Sequence, residues 1–474
     1  MELTDKVVSA DGINELRARL TGALITPGDG AYDEARQVWN GMVDKHPAAV
    51  VRAADDADVS ATVRFAAEHE LLLAVRGGGH SVAGQGTCDG GIVLDLKAIS
   101  HVDVDAEAGI TRAGGGCLLG DVDRANQAQG RVVPAGVVSH TGAGGLTLGG
   151  GVGWLSRRFG LTCDNVAAFR VVLANGEVAT ASEDENPDLY WGLRGGGGNF
   201  GVVTEFSYRS HPFPTEIPVG IAFWPIKDAA AVLRVHAELM PERPNEWKAT
   251  AFVSRPHKGT GVPPELIGQP CLSILQVWAG EDLAAAEEAY APLRRAATPA
   301  FERLAPMSYI ELQTVEDEVA AHGKCNYTKG GYLDRELGEG AIESLLTSAE
   351  EILNEESIIE VIPHGGAQLD LADADTAFPD REAAYSFNVY ARWPLAEDDE
   401  RHIAWVRRSF DGLDRHAGAG VYVNFFNPDE GDDGGRVLAA FGRERYDKLA
   451  QLKARYDPTN LFSLNPNVKP AATA

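Results

Sequence analysis

Val75-Arg76-Gly77-Gly78-Gly79-His80-Ser81 is the stretch on which the reading of this chain turns. An apolar run from Leu71 to Val75 stops at an arginine and three consecutive glycines, and a histidine follows. Glycines leave backbone N–H groups uncovered and allow positive φ, so several amides in a row can point at one anion. Such a loop suits a pyrophosphate, with His80 at its lip. The plainer alternative is a glycine-rich turn whose histidine only caps a hydrogen bond. Two denser glycine regions lie downstream, Gly142 to Gly153 and Gly195 to Gly201.

Before the loop, Gly12 to Leu20 and Asp33 to Val43 read as short amphipathic helices, with Trp39 a core anchor. Asp55 to Glu70 reads as a longer helix with Asp55 or Asp58 as its cap. After it come short strands at Gly91 to Leu96, His101 to Val104 and Gly109 to Ala113, then a helix ending at Gly130. Phe169 to Leu173 and Glu177 to Ala181 form a hairpin on the turn Asn175-Gly176. The glycine runs cease after Pro212-Phe213-Pro214. Helices are expected there at Asp228 to Met240, Asp282 to Ala297, Gly340 to Glu351 and Asp398 to Leu413. Strands are expected near Lys248 to Val253, Leu272 to Trp278, Ile358 to Pro363 and Ala384 to Tyr390, an antiparallel sheet backed by helices.

The composition narrows the function. With 474 residues the chain can bury a large core and divides into more than one domain. Its 69 acidic against 42 basic residues give a net charge of −27, which repels phosphate backbones and argues against nucleic-acid binding. Such self-repulsion suits either a high-salt source or an acidic cytosolic protein. No apolar run reaches the roughly 18 residues needed to span a membrane, and no export signal is visible at the N-terminus. Five scattered cysteines without CxxC spacing point to a reducing, cytoplasmic compartment and to no metal site.

The glycines select a cofactor class. The GxGxxG at Gly196-Gly197-Gly198-Asn199-Phe200-Gly201 leads into a strand, which is the wrong context for a Rossmann fold, and no P-loop motif exists. Three glycine loops spread over half the chain suit an extended dinucleotide, which favours a flavin. In detail, Arg76 to Ser81 with Gly90 to Leu96 resembles the pyrophosphate loop of the berberine-bridge-enzyme-like flavoproteins, which carry the vanillyl-alcohol oxidase (para-cresol methylhydroxylase, PCMH) FAD fold. Gly149 to Gly153 with Arg157, Gly160-Leu161 and Asp164-Asn165 resembles a second signature of that family, and Leu193 to Val203 a third. Tyr422-Val423-Asn424-Phe425 and Tyr456 to Phe462, closing on Asn465-Pro466-Asn467, resemble its C-terminal segment.

The resemblance implies an α+β chain: a two-subdomain PCMH-type FAD-binding domain (1–215), an antiparallel-sheet-and-helix substrate domain (216–415), and a C-terminal segment (416–474) returning to the first domain. It assigns FAD contacts to Arg76, Gly77, Gly78, Gly79, His80, Ser81 and Gly84; to Val138, Ser139, Thr141, Gly142, Gly144 and Gly145; to Gly149, Gly150, Gly151 and Gly153; and to Gly201, Val202, Val203, Asn424, Asn465 and Asn467. It also implies that His80 carries the flavin covalently through its 8α-methyl group, as the single link, because Val138 stands where doubly linked members have a cysteine. The likeness is greatest to singly linked bacterial members such as the hydroxynicotine oxidases. Leu146 replaces a histidine of the plant enzymes, and Thr141 falls where the family gates oxygen.

In the substrate domain, Asn388 falls where relatives carry a catalytic Glu or Gln, and period-two alternation puts Asn388, Tyr390 and Arg392 on one strand face. An amide cannot act as a base. Tyr422 is then the candidate base if its phenol is lowered, with packing as the competing role. Asn388 and Tyr390 suggest neutral hydrogen-bonding recognition of the substrate; His364, Lys324 and Tyr327 are further candidate cavity residues. The expected activity is an FAD-dependent oxidase that takes a hydride from a C–H beside an alcohol or amine of a small molecule, with O2 as second substrate. A dehydrogenase of the same fold and a flavin-binding protein without turnover are the alternatives.

Overall fold

The Asp55 carboxylate accepts hydrogen bonds from the N–H groups of Ala57 and Asp58 and so starts the helix Asp56–Glu68. Val59, Val63 and Ala66 on its inner face pack with Val51, Leu73 and Leu94 of a small sheet. A computed structural model of the chain describes residues 8–333, 336–394, 398–418, 420–427 and 435–472. The small sheet runs in the order Ala23–Ile25, Ala49–Arg52, Ile92–Asp95, Leu73–Arg76, the last three parallel. A second, antiparallel sheet runs Val102–Asp105, Ile110–Gly114, Val202–Arg209, Val166–Val172, Val178–Ser182. The third has seven antiparallel strands in the order Phe301–Ser308, Glu216–Pro225, Cys271–Trp278, Trp247–Ser254, Ile358–Pro363, Tyr385–Trp393, Cys325–Leu333. The architecture is α+β.

Alternation along the third sheet fixes what faces the site. Tyr385, Phe387, Val389, Ala391 and Trp393 enter the core with Ile359, Val361, Trp247, Ala249 and Ala251, beneath the helices Ile226–Leu239, Glu339–Glu350 and Asp399–Asp414. Their even-numbered neighbours, among them Lys248, Phe252, Ile358, Glu360, Asn388, Tyr390 and Arg392, therefore lie on the opposite face.

The C-terminal helix Arg443–Tyr456 packs Leu449, Leu452 and Tyr456 against Phe169, Phe200 and Phe206 of the second sheet's core. Its Lys453 is fully buried, donating to the carbonyls of Asn199 and Phe462 at 2.8 Å each and pairing with Asp457 at 2.7 Å. No helix among the described residues is long and apolar enough to cross a membrane.

Two local expectations are corrected. Of the stretch Asp33 to Val43 only Asp33 to Arg36 is helical, within the helix Tyr32–Arg36. Beyond it the backbone is pulled straight, because the Trp39 N–H donates to Gly79 O, the Gly41 N–H donates to Lys324 O, and the Trp39 indole donates to Ala320 O. Three strands were not expected from the sequence: Glu216–Pro225, Phe301–Ser308 and Cys325–Leu333. The second holds Pro306 and is a half-buried edge strand; the third holds Gly330-Gly331, where side chains at these positions would meet Asn388 and Phe387.

Candidate active site

A cavity of about 340 Å³ lies where the three sheets converge, lined by Leu73 and Val75 from the first, Val202, Val203 and Phe206 from the second, and Glu360, Tyr390 and Arg392 from the third. That volume is in the range of ligand pockets. The first glycine loop forms one wall. None of the N–H groups of Gly77, Gly78, Gly79, His80 or Ser81 donates to another described residue, and all five residues line the cavity. Uncommitted amides in series are an anion nest. The loop lies backbone to backbone on the second glycine region: a Cβ on Gly78 would stand 2.4 Å from the Gly142 nitrogen. Gly145 and Gly198 also line the cavity, and a Cβ at either would meet no atom within 4 Å, so a side chain there would occupy the cavity itself. Asn465, at the same end, keeps a buried Oδ1 without a partner. Nest, cradle and unpaired amide fit a bound dinucleotide.

His80 sits at the end of the nest. Its ring stacks on Trp39 with centroids 4.3 Å apart, and its Nε2 lies 3.1 Å from His140 Nδ1. Burial, with the neighbouring imidazoles of His140 and His322, holds His80 well below the usual histidine range, so the ring is neutral near pH 7. Thr141 and Val138 line the cavity beside it.

The roof supplies a group the sequence reading missed. Glu360, buried and facing the cavity, accepts hydrogen bonds from Asn388 Nδ2 at 3.2 Å and from the Tyr390 hydroxyl at 3.1 Å. Glu360 and Asn388 are direct cross-strand partners. Burial, then the Glu316 carboxylate, lifts the Glu360 acid to about 7. Lys248, buried on the same face, is lowered to about 7 by burial while its Nζ donates to Gly153 O and Ser156 Oγ. Glu316 and Arg392 also line the cavity, and the Arg392 guanidinium lies 4.8 Å over the Tyr390 ring. Two carboxyl groups and an arginine make this roof ionisable, where Asn388 and Tyr390 alone suggested neutral recognition. A lone Glu in the apolar run Ile358-Ile359-Glu360-Val361-Ile362 was the available signal.

Several expected site residues are placed otherwise. Tyr422 lines the cavity, but burial pushes its phenol up to about 12, and its oxygen accepts from the Gly151 N–H at 3.0 Å and from Asn424 Nδ2 at 2.8 Å. It is a buried acceptor, not a lowered base. Asn388 sits behind Glu360 and does not line the cavity. Ser139 is taken up by Asp317, which accepts from its N–H and its hydroxyl. Gly84 packs on Val43; Gly149, Gly150 and Gly151 pack on Asn424, Phe378 and Thr162, and Gly153 on Ala135 O. These glycines permit close packing rather than line the cavity, and Asn467 does not line it either. Arg76, Gly77, Gly78, Gly79, Ser81, Gly142, Gly144, Gly201, Val202, Val203, Asn424 and Asn465 all do. The Arg76 guanidinium is spent on Asp95 at 2.9 Å and on the carbonyls of Ala35 and Gln37. His364, lowered to about 3 by burial, bonds Ser386 in a separate small pocket; Lys324 and Tyr327 also lie off the cavity.

Comparison with known proteins agrees with this geometry. Residues 47–182 match the FAD binding domain family, and residues 421–469 match the berberine and berberine-like family. An FAD-linked oxidoreductase of Dictyostelium discoideum is 28% identical over 477 residues, covering 99% of both chains. The (R)-6-hydroxynicotine oxidase of Paenarthrobacter nicotinovorans is 28% identical over 461 residues, 95% of this chain and 97% of that one. The crystal structure of 6-hydroxy-D-nicotine oxidase from Arthrobacter nicotinovorans superposes with a TM-score of 0.83 at 27% identity, covering 95% of this chain and 98% of that one.

Proposed function

The chain belongs to the berberine bridge enzyme-like family of FAD-dependent oxidoreductases, and on that premise we propose that it is an oxidase of small organic amines or alcohols, with FAD attached through His80 alone. The observation that carries the proposal is one cavity joining the uncommitted amides of Gly77 to Ser81 to the Glu360 carboxylate. When bound, the flavin supplies the redox chemistry, accepting a hydride from a substrate C–H and returning the electrons to O2 as hydrogen peroxide.

The chain's own residues do the rest. The first glycine loop holds the pyrophosphate, with Gly145, Gly198 and Asn465 making room along the cofactor. Glu360, in its ionised form, takes the proton from the substrate hydroxyl or ammonium at Oε1 or Oε2. Asn388 and Tyr390 hold that carboxylate in place through their hydrogen bonds. Tyr422 props the loop at Gly151 and closes the cavity wall. Thr141 leaves a small side chain beside His80 for O2 to pass. The molecular partners are thus a small substrate and oxygen. The five unpaired, buried cysteines support a reducing cytoplasmic setting.

The test is an anaerobic screen of cyclic amines, benzylic and allylic alcohols and sugars for flavin bleaching, followed by mixing with O2. Bleaching and re-oxidation within seconds is expected; reduced flavin that persists for minutes in air would end the oxidase reading. Acid-precipitated protein should keep its yellow colour in wild type and lose it in His80→Ala.

A further inference from the structure

We propose that His140 is the proton acceptor that lets His80 bond to the flavin, the bond running through His80 Nδ1 as in the 8α-N1-histidyl FAD of the Acremonium strictum glucooligosaccharide oxidase. This rests on the reading that His80 carries the FAD. The only side-chain hydrogen bond of the His80 ring among the described residues is the 3.1 Å contact between its Nε2 and His140 Nδ1. Two ring nitrogens at that distance share one proton, since two facing protons or two facing lone pairs repel. When His80 Nε2–H donates to His140, the His80 lone pair is on Nδ1, on the side of the ring away from His140. That tautomer alone makes His80 a nucleophile and aligns its proton with an acceptor.

The surroundings favour transfer along this contact. Trp39, stacked at 4.3 Å and 17°, keeps the ring from turning, so Nε2 stays on His140. His140 Nε2 is buried without a partner, so nothing else competes for that imidazole. The exposed His322 ring lies 4.9 Å from His140 and 6.1 Å from His80, closing a triangle of imidazoles, and offers a route for the proton from His140 to solvent. The other titratable groups facing His80 are His322 and Arg392, both basic, which discourage any build-up of positive charge on His80. Glu316 lines the same cavity and makes no hydrogen bond to His80.

In the step itself a bond forms between His80 Nδ1 and the flavin 8α-methyl carbon. One methyl C–H bond and the His80 Nε2–H bond break. The Nε2 proton passes to His140 and the methyl proton to solvent, while the two electrons stay in the ring system. Molecular oxygen takes the two electrons and two protons as hydrogen peroxide, leaving the oxidised, linked cofactor. Atoms and charge balance with O2 as the only co-reactant.

The experiment follows attachment, not turnover. Full-length apoprotein from a riboflavin-starved host is mixed with saturating FAD in air, and flavin retained on acid-denatured protein is followed with time and confirmed by intact mass. Non-covalent uptake, read from flavin absorbance, normalises each variant. His140→Gln keeps an acceptor for the Nε2–H, and with it the ring's orientation, but cannot hold a proton; His140→Asp can. Attachment is expected to slow about 100-fold or more in His140→Gln and His140→Ala, and to stay within about tenfold of wild type in His140→Asp. If His140→Ala fails to take up FAD, the Gln and Asp variants decide. Equal rates in wild type and His140→Gln would overturn the proton-accepting role while leaving the linkage intact. A wild type that never links would overturn the His80 reading and this proposal with it.

Discussion

Replacing Glu360 by glutamine separates its chemical role from its structural one, because the two move in opposite directions. The amide keeps the shape and still accepts from Asn388 and Tyr390, so the roof geometry holds. As base, Glu360 works only when ionised, and its acid is lifted to about 7 by burial and by Glu316. Wild-type flavin reduction should therefore climb about tenfold per pH unit below 7 and level off above it. In Glu360→Gln the plateau should fall by about 10²- to 10⁴-fold, and that limb of the pH profile should vanish. Stability runs the other way. The folded-state value near 7 exceeds the unfolded 4.5, so the folded protein holds this proton more tightly. The resulting stabilisation is complete below pH 4.5 and is lost as pH rises through 7. At pH 8 the ionised, buried carboxylate opposes folding by about 3 kcal/mol, which the neutral glutamine avoids. Denaturant melts at pH 5 and 8, paired with anaerobic stopped-flow on the fastest substrate of the panel, measure both. A variant that reduces its flavin within threefold of wild type at pH 8 would refute the assignment of Glu360 as the base.

Three other perturbations probe the frame around that site. Gly78→Ala forces a Cβ to within 2.4 Å of the Gly142 nitrogen, so the two glycine loops must separate; FAD uptake by apoprotein, read by absorbance, should drop at least tenfold. Tyr422→Phe leaves the Gly151 N–H without its acceptor and takes one of two acceptors from Asn424 Nδ2, which keeps the Leu146 carbonyl. It should lower stability by about 1–3 kcal/mol while flavin reduction stays within tenfold, and a hundredfold slower reduction would return Tyr422 to the chemistry. Lys453→Met strands the buried Asp457 carboxylate and should destabilise by about 3–5 kcal/mol in denaturant melts, against under 1 kcal/mol for the exposed Arg443→Met.

What the sequence made legible follows from how local each signal is. The glycine loop at Gly77 to Ser81 and the cap at Asp55 declare themselves within a few residues, and the Asn175-Gly176 hairpin does the same. The face shared by Tyr390 and Arg392 needs only the period of one strand. Glu360 was harder to find, because its meaning depends on a register that brings it opposite Asn388, 28 residues away in the chain. Read alone, Asn388 looks like the loss of a family carboxylate, and a search for a replacement base then stops at Tyr422. Across the ladder a carboxylate stands one strand over: Asn388 donates to it, Tyr390 braces it, and burial raises its pKa to about 7, the value that suits the proposed base near neutral pH. The same dependence on packing explains the glycines from Gly149 to Gly153. Their motif was legible, but their work is to let Asn424, Phe378, Thr162 and Ala135 approach, which no local pattern specifies. A site assembled from three sheets therefore declares its glycine-loop wall in the sequence and hides the proposed acid–base group in the pairing of strands.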